Sequence, residues 1–422
     1  MRIEISQRNL VAPLAIVWLA ALAVGLVGVT QRLLTGHELS NYTSSIPWGL
    51  WIAAYAYLIG LSAGMFLIVA LAHVFRIQRL VKYTKLALFA SLVLLLAGLL
   101  TVWFDLGHLT RFYRVYTDGN PQSMMAWMVW GYTAFLVLLL AALWFVMRRD
   151  LVESSSDPGL RGRLAAALTL GRSDVSEVAV DSDGRAARAL FMIGIPLMAA
   201  VIGGSGALFG VVGGRHFWNA PLMPILFITV ALTSGAALLT FLVTLLAPDN
   251  GSRDHRDVVQ MLARIVLGLL GFYLLLLWAE YSITLYAEIP SASEPVYQVL
   301  GGPYPWVFWL FQVALGAVIP IALLSLRQRS VGWVGLASLL VAGSFLATRL
   351  NIVIPGLVEP QLEGLETAYV ESGLSFDYFP SLMEWLVLIF IGAFAIGLFY
   401  AGFRALPLIG RGKEVAHDRE EA

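Results

Sequence analysis

The chain contains no cysteine and few charged residues. The absence of cysteine from all 422 residues excludes disulfides, thiolate-bound iron–sulfur clusters and thiol catalysis within this chain. Charged residues make up only 13% of the sequence, whereas 59% is hydrophobic and the mean hydropathy is +0.80. This composition excludes a soluble globular protein and predicts a polytopic membrane protein. We expect contact with membrane lipid and no nucleic-acid partner.

Histidine is also scarce, and its distribution disfavours a haem. Two axial histidines must approach the same iron, but the predicted topology places His73 at the inner end of one helix and His108 at the outer end of the next. The metal-binding spacings HxxxH and HExxH do not occur in the sequence. We therefore expect no haem and no metal site in this chain.

Long apolar runs dominate the remaining sequence. A helix needs about 20 apolar residues to cross a bilayer. Runs of that kind predict an all-α integral membrane protein with about ten transmembrane helices, at 10–30, 48–75, 86–106, 124–147, 189–213, 221–247, 258–282, 305–326, 331–350 and 380–403.

The positions of the basic residues predict how the chain is oriented. Lys and Arg prefer the cytoplasmic loops, and one set of loops together with both termini holds 21 of the 27 basic residues, including Arg2 and Arg8. Both termini are therefore predicted to be cytoplasmic. The longest cytoplasmic segment, 148–188, is rich in Ser, Gly, Asp and Arg, and is predicted to be mobile with one short helix near 160–170.

Two acidic residues end apolar runs that are otherwise free of charge. Asp105 follows the run 86–104, and Glu280 ends another run 175 residues later. A carboxylate at membrane depth is unfavourable unless it is paired, protonated or hydrated, so it is a candidate functional group. The topology places both acids at the outer face, where we expect the chain to handle protons or electrons.

A weak internal repeat links the two acids. Pro47 and Pro221 each begin an apolar helix and lie 174 residues apart, close to the spacing of Asp105 and Glu280. This agreement predicts a duplicated four-helix unit in one membrane domain, with a first bundle over 48–213 and a second over 214–350. Transporters also contain internal repeats, so the duplication alone does not identify a function.

Four short motifs carry a resemblance to a known family. They are DLGHLTR at 105–111, SIPWGLWIAAYAYLIGLSAG at 45–64, TRLNIVIPGL at 348–357 and DYFPSLMEWLVLIF at 377–390. In this order and at these helix ends, the motifs resemble the NrfD/PsrC family of quinone-interacting membrane subunits. The number of helices is closer to the ten-helix branch that includes HybB, DsrP and the membrane subunits of alternative complex III.

The resemblance implies a function and a set of partners. Members of the family are haem-free subunits of multi-subunit respiratory oxidoreductases in the bacterial or archaeal cytoplasmic membrane. They have a pocket for menaquinone or ubiquinone near the outer face. A ferredoxin-like iron–sulfur subunit docks there and usually joins a molybdopterin or other catalytic subunit. We therefore expect no complete active site in the isolated chain.

Quinone chemistry needs an apolar slot, hydrogen-bond partners for two oxygens and a group that exchanges protons. Asp105, His108 and Arg111 follow each other at spacings of three residues, so a continuing helix would place them on one face as a proton relay. Asp105 and His108 are the predicted catalytic pair. The resemblance adds Trp48 and Tyr55, near the start of the neighbouring helix, as candidate quinone contacts; interfacial packing is the alternative for both.

The second half offers a possible proton route through Glu280, Arg349 and Glu384. Arg349 and Glu384 lie at similar predicted depth, so a structural ion pair is the alternative. The competing function is a secondary transporter or a proton-translocating subunit that uses the buried acids. Transporters place their substrate sites near the midplane, whereas the acids here are predicted at the outer face.

Overall fold

The computed structural model describes residues 7–362, 364–368 and 371–408 and is helical, with no strand in those ranges. Within these ranges, ten helices are long and apolar enough to cross a membrane, which confirms the predicted fold class. They are α1 (Gln7–Thr35), α2 (Leu50–Val74), α3 (Thr84–Asp105), α4 (Met124–Ser154), α5 (Glu177–Gly210), α6 (Met223–Leu246), α7 (Arg253–Ala287), α8 (Val307–Leu326), α9 (Val331–Val353) and α10 (Leu382–Ala405).

Helices α2 and α6 form the centre of the molecule. The most apolar parts of these two spans are 89% and 72% buried, more than in any other span of the described chain. Gly64 of α2 lies directly against the backbone of Ala231 and Gly235 of α6. Small residues allow such close backbone contact between membrane helices. The first helices of the two predicted repeat units therefore cross at the core.

Helices α1 and α10 pair on the flank of this core. The indole of Trp18 donates a hydrogen bond of 2.7 Å to the carbonyl of Ala393, and Gly25 lies against the backbone of Phe390. The central parts of both spans are only 17% buried. The remaining apolar surface is suited to lipid, because a bilayer solvates it without cost.

The segment 148–188 contains more helix than predicted. Its predicted short helix is present over Leu160–Leu168, but α4 continues to Ser154 and α5 already begins at Glu177. Arg148, only 2% exposed, forms an ion pair with Asp183. Most of the segment predicted as a loop is therefore helix that packs against its neighbours.

The close ion pairs gather at one end of the bundle. Lys82 pairs with Asp249 at 3.1 Å and with Asp254, and Lys85 pairs with Asp150 at 2.6 Å. This is the end predicted to face the cytoplasm, here called the inner end; α3 finishes and α10 begins at the opposite, outer end. Arg2 and the charges of 409–422, which contributed to the predicted orientation, lie outside the described residues.

Candidate functional site

The outer end of α3 is closed by an arginine from another helix. The last carbonyls of a helix have no hydrogen-bond donor within the helix. Arg32 of α1 supplies donors at the end of α3. Its Nε donates to the carbonyl of Phe104 at 2.8 Å, and its Nη2 donates to the carbonyl of Leu106 at 2.6 Å. Arg32 is only 2% exposed. Its positive charge is therefore fixed at the helix end that carries Asp105.

Helix α3 ends at Asp105, close to the predicted end of the span at 106, so the continuing helix that the relay through Arg111 requires is not present. Leu106 adopts an extended conformation and Gly107 follows it; a short 3₁₀ turn then covers Leu109–Arg111. Asp105 and His108 consequently do not share a helical face. The side chains of His108 and Arg111 are exposed at the outer end, beyond the membrane-spanning part of α3.

Asp105 receives its hydrogen bond from a residue outside the predicted site. The hydroxyl of Tyr42, in the loop between α1 and α2, donates to Asp105 Oδ1 at 3.0 Å. Burial, and then the charge of Asp105, raise the pKa of Tyr42 well above its ordinary value, so the hydroxyl stays a donor. Within the described residues, no Lys or Arg nitrogen lies within 4 Å of the Asp105 carboxylate.

His37 completes the surroundings of Arg32. Arginine can only donate, so His37 Nε2, 3.0 Å from Arg32 Nη2, accepts, and the proton of the neutral ring is on Nδ1. Burial, and then the charge of Arg32, lower the pKa of His37 below its ordinary value. The ring lies 5.9 Å from that of Trp51. The imidazole is therefore held neutral between a cation and an aromatic side chain.

Glu384, at the start of α10, is the second acid at this end, and Asp105 itself is half-buried. Glu384 is fully buried and accepts hydrogen bonds from the Tyr378 hydroxyl, from the backbone N–H of Asn41 at 3.0 Å and from that of Ser381 at 3.2 Å. Ser381 in turn caps the helix, and a carboxylate in the first turn suits the helix dipole. Burial, and then the charge of Glu384, raise the pKa of Tyr378.

The two acids belong to one group of side chains. The rings of Tyr42 and Tyr378 lie 6.1 Å apart, and each tyrosine donates to a different acid. We call the group the outer cluster; it consists of Arg32, His37, Tyr42, Asp105, Tyr378 and Glu384. Two carboxyl groups with hydroxyl donors beside one cation form an arrangement that can accept and release protons.

A large apolar cavity adjoins the outer cluster. Its volume is about 740 Å³, and it lies between α8, α9, the start of α10 and the helix Pro290–Gly301. Tyr378 forms part of its wall, and Asn351 of α9 is one of its few polar lining residues. The volume and the mostly apolar lining are typical of a site for a small organic molecule.

Arg349 does not pair with Glu384. Its guanidinium lies 3.9 Å from the ring centre of Phe227, and its Nε and Nη1 have no hydrogen-bond partner among the described residues. Glu280 is half-buried and borders a separate cavity of about 20 Å³, together with Tyr273. The predicted proton route is therefore divided among three places: Arg349 lies against Phe227, Glu280 at the small cavity and Glu384 beside Tyr378.

Neither Trp48 nor Tyr55 lines the large cavity, and both pack against aromatic side chains outside the outer cluster. Trp48 stacks on Trp218 at 6.1 Å between ring centres. The hydroxyls of Tyr55 and Tyr132 are 2.6 Å apart in the buried interior. The structure thus gives both predicted quinone contacts an aromatic packing partner.

Four members of the outer cluster, Arg32, His37, Tyr42 and Tyr378, were missed by sequence reasoning. Two signals were available: Arg32 is a lone charge at the end of an apolar run, and Gly107 is a helix terminator directly after Asp105. Tyr42 carries no local signal, because its partner Asp105 lies 63 residues away, whereas Tyr378 lies only six residues before Glu384, within the motif at 377–390.

Comparison with known proteins shows the family to which this chain belongs. The family described as "Polysulphide reductase, NrfD" matches residues 38–361. A selenate reductase subunit of Mesobacillus selenatarsenatis is 34% identical over 93% of each chain. The Hdr-like menaquinol oxidoreductase integral membrane subunit of Archaeoglobus fulgidus is 28% identical over 88% of this chain and 87% of its own. The menaquinone reductase integral membrane subunit of Nitratidesulfovibrio vulgaris is 22% identical over 94% and 93%.

Proposed function

The chain belongs to the NrfD family, and on this premise we propose that it is the quinone-reactive membrane subunit of a respiratory oxidoreductase complex. It exchanges electrons between the quinone pool and an iron–sulfur subunit docked at the outer end, and it takes up or releases protons there. The names of two relatives, a menaquinol oxidoreductase subunit and a menaquinone reductase subunit, support a quinone as the substrate.

The outer cluster is the observation that carries this proposal. Quinol oxidation removes two protons and two electrons, so a site needs proton acceptors shielded from lipid and a route to water. Asp105 and Glu384 are acids of this kind, each hydrogen-bonded to a tyrosine hydroxyl, and the cavity lies behind Tyr378. General acid–base groups placed in this way contribute about 10²–10⁴ in rate.

His108 and Arg111, which are exposed after the end of α3, also have roles in this proposal. His108 lies three residues beyond Asp105 on the outer surface and is the proposed group that passes protons to water. Arg111 adds positive charge to that surface, where an iron–sulfur partner docks. The ion pairs at the inner end agree with the cytoplasmic location that we propose for both termini in the bacterial or archaeal inner membrane.

The absence of cysteine determines which steps we assign to this chain and which to its iron–sulfur partner. This chain has no thiolate for an iron–sulfur cluster, so in the proposed complex the iron–sulfur partner carries electrons one at a time. The membrane protein binds the quinone and moves the protons. A molybdopterin subunit or another catalytic protein completes the complex beyond the iron–sulfur partner.

Asp105→Asn tests the proposal in the assembled complex. The amide keeps the shape of the side chain but cannot accept a proton, so quinol-linked turnover is expected to fall about a hundredfold. Asp118→Asn is the matched control, because Asp118 is an exposed acid on the same outer segment. Partner subunits that copurify in normal amounts establish that assembly is intact. Full turnover by an intact Asp105→Asn complex would contradict the assigned role.

A further inference from the structure

The stretch 160–172, between α4 and α5 at the inner end, runs back along α4 toward the membrane. Near its start, Gly162 lies beside the carbonyl of Ser155, just beyond the end of α4. At the end of its short helix, the carbonyl of Leu168 accepts a hydrogen bond of 2.9 Å from the indole of Trp144. Trp144 lies about 15 Å along α4 from Ser154, where that helix ends. We call this stretch the return segment.

Trp144 marks the depth that the return segment reaches. It belongs to the last apolar turns of α4, and the first charged residue of that helix, Arg148, follows one turn later. Tryptophan at such a position in a transmembrane helix is typical of the boundary between acyl chains and headgroups. The turn at 169–172 therefore lies at the level of the lipid headgroups, whereas Leu160 lies farther out in the water.

Leu170 places an apolar side chain where the backbone favours glycine. Its φ is 51°, in the left-handed region that leucine seldom adopts. It follows the C-cap residue Thr169, a position where glycine is the usual choice. The side chain of Leu170 is 74% exposed, and that of Leu168 is 41% exposed. An exposed leucine of this kind contributes little to packing within the chain, but at this depth it would insert into a membrane.

The return segment carries three arginines and no acidic residue. Arg161 pairs with Asp157 at 4.0 Å. Arg163 and Arg172 are exposed, and within the described residues neither has a carboxylate oxygen within 4 Å. The return segment therefore keeps two positive charges that no acid in the described part of the chain neutralises.

Arg172 is held at the same depth as Leu170. Its guanidinium carbon lies 5.7 Å from the centre of the Trp144 ring. A cation–π contact uses the face of the guanidinium and leaves its N–H groups able to donate. The next acid along the chain, Asp174, accepts a hydrogen bond of 2.8 Å from the backbone N–H of Ser176. The planar fork of an arginine matches the oxygen atoms of a phosphate group.

We propose that the end of the return segment is a binding site for an anionic phospholipid of the leaflet at the inner end. Leu168 and Leu170 enter the boundary of the acyl chains, Arg172 donates to the phosphate, and Arg163 adds positive charge from the preceding helix. An anionic lipid supplies an acyl layer and a negative charge at one depth, which matches this arrangement of leucine and arginine. The site lies opposite the outer cluster and does not depend on the proposed function.

Hydrogen–deuterium exchange of the complete complex in nanodiscs tests this site. The complex, with its partner subunits, is placed in discs of phosphatidylcholine alone or of phosphatidylcholine mixed with phosphatidylglycerol. In the wild type we expect the amides of 168–173 to exchange about fivefold more slowly in the anionic discs, because an arginine near an anionic surface favours binding by about that factor. High salt is expected to reduce the difference, since exposed charges are screened.

Two variants separate the leucine from the arginine. Leu170→Asn removes the apolar side chain, and asparagine tolerates the left-handed conformation, so the fold is retained. Arg172→Gln removes the charge. Each is expected to abolish most of the difference between the two kinds of disc. The matched controls are Leu160→Asn, at a leucine that is 73% exposed at the far end of the same helix, and Arg253→Gln, at an exposed arginine that begins α7; both should behave as the wild type.

Four results would overturn the lipid site. Equal exchange of 168–173 in both kinds of disc would show that the headgroup charge is not recognised. Slow exchange already in detergent, unchanged by either lipid, would mean that a partner subunit or a second copy of the chain covers the return segment. If inorganic phosphate slows exchange in phosphatidylcholine discs as strongly as phosphatidylglycerol does, the arginines bind a free anion. A loss of the difference in the two controls as well would reduce the effect to general attraction between the membrane and the inner end.

Discussion

The hydroxyl of Tyr42 donates a hydrogen bond to the Asp105 carboxylate at 3.0 Å, although the two residues lie 63 positions apart. Tyr42 belongs to the loop between α1 and α2, whereas Asp105 ends α3. The ring of Tyr42 also packs edge-on against the indole of Trp51, with 5.9 Å between the ring centres. The loop therefore sets the orientation of the acid, and a change in either side chain is expected to affect the same chemistry.

Tyr42→Phe removes this donor and leaves the aromatic packing in place. A single hydrogen bond contributes about 0.5–1.5 kcal/mol net, and more when its acceptor is charged. We expect quinol-linked turnover of the complex to fall roughly tenfold, while the melting temperature changes by only a few degrees. Tyr113→Phe is the control, because Tyr113 is exposed at the same end. Equal turnover in the two variants would remove Tyr42 from the site.

His37 gives the protein a predictable response to acid. Burial, and then the charge of Arg32, lower the pKa of His37 below its ordinary value of 6.5. The unfolded chain therefore binds more protons than the folded protein as the pH falls through 6.5. The contribution of His37 to the free energy of unfolding is present above that pH and decreases below it.

His37→Gln is expected to remove this contribution to the pH dependence. Glutamine can still accept from Arg32 but does not titrate, so the melting temperature should fall less between about pH 7.5 and about pH 5.5 than in the wild type. His216→Gln, which changes an exposed histidine, serves as the control. The prediction is wrong if the two variants show the same pH dependence.

The crossing of α2 and α6 makes Gly64 sensitive to a single methyl group. A Cβ on Gly64 would overlap the carbonyl of Ala231, which belongs to the backbone and cannot rotate away. Overpacking of this kind costs about 1–3 kcal/mol. We expect Gly64→Ala to lower the melting temperature and the yield of the purified protein.

Gly204→Ala is the corresponding control for Gly64. Gly204 lies in α5 and has no atom within 4 Å of the position of a Cβ, so its stability is expected to match the wild type. Thermal unfolding in the same detergent compares the two variants. If they are equally stable, the close contact between α2 and α6 is not required for the fold.

Arg148 of α4 holds the start of α5 and the loop before it against α4. It pairs with Asp183 and also donates to the carbonyl of Asp174 at 2.5 Å. Removing one partner of a buried ion pair costs about 3–5 kcal/mol. In Arg148→Ala we therefore expect limited proteolysis to cut residues 155–176 faster than in the wild type.

Arg149 offers a control one residue away. It is exposed, and it pairs with Glu153 of the same helix at 3.0 Å. Exposed pairs of this spacing contribute only about 0.3–0.5 kcal/mol, so Arg149→Ala should be cut at the wild-type rate. Similar cleavage of both variants would mean that Arg148 does not secure the segment.

Apolar runs predicted the ten spans because the bilayer imposes length and composition on each helix independently. The contacts at the end of α3 could not be predicted in this way. The apolar run placed the end of the span at 106, but it did not show that Arg32, 72 and 74 residues away, donates to the carbonyls of Phe104 and Leu106. The end of the apolar run and Gly107 indicated where the helix ends, whereas the contact with Arg32 left no pattern in the sequence of α3.

The candidate site was predictable in part for the same reason. Asp105 and Glu384 stood out because charge is rare in this chain. Their partners Tyr42 and Tyr378 resemble ordinary interfacial tyrosines until the fold brings them together. The large apolar cavity beside Tyr378 is a space between several helices, so no residue pattern indicates it.

The pairing of α1 with α10 has a consequence for comparing members of the family. The region that matches the family, 38–361, contains Tyr42 and Asp105, but Arg32, His37, Tyr378 and Glu384 all lie outside it. The part of the chain that matches the family therefore holds Asp105 and its hydrogen-bond donor, while the segments before and after it supply the cation and the second acid. The electrostatic surroundings of Asp105 consequently depend on α1 being held against α10.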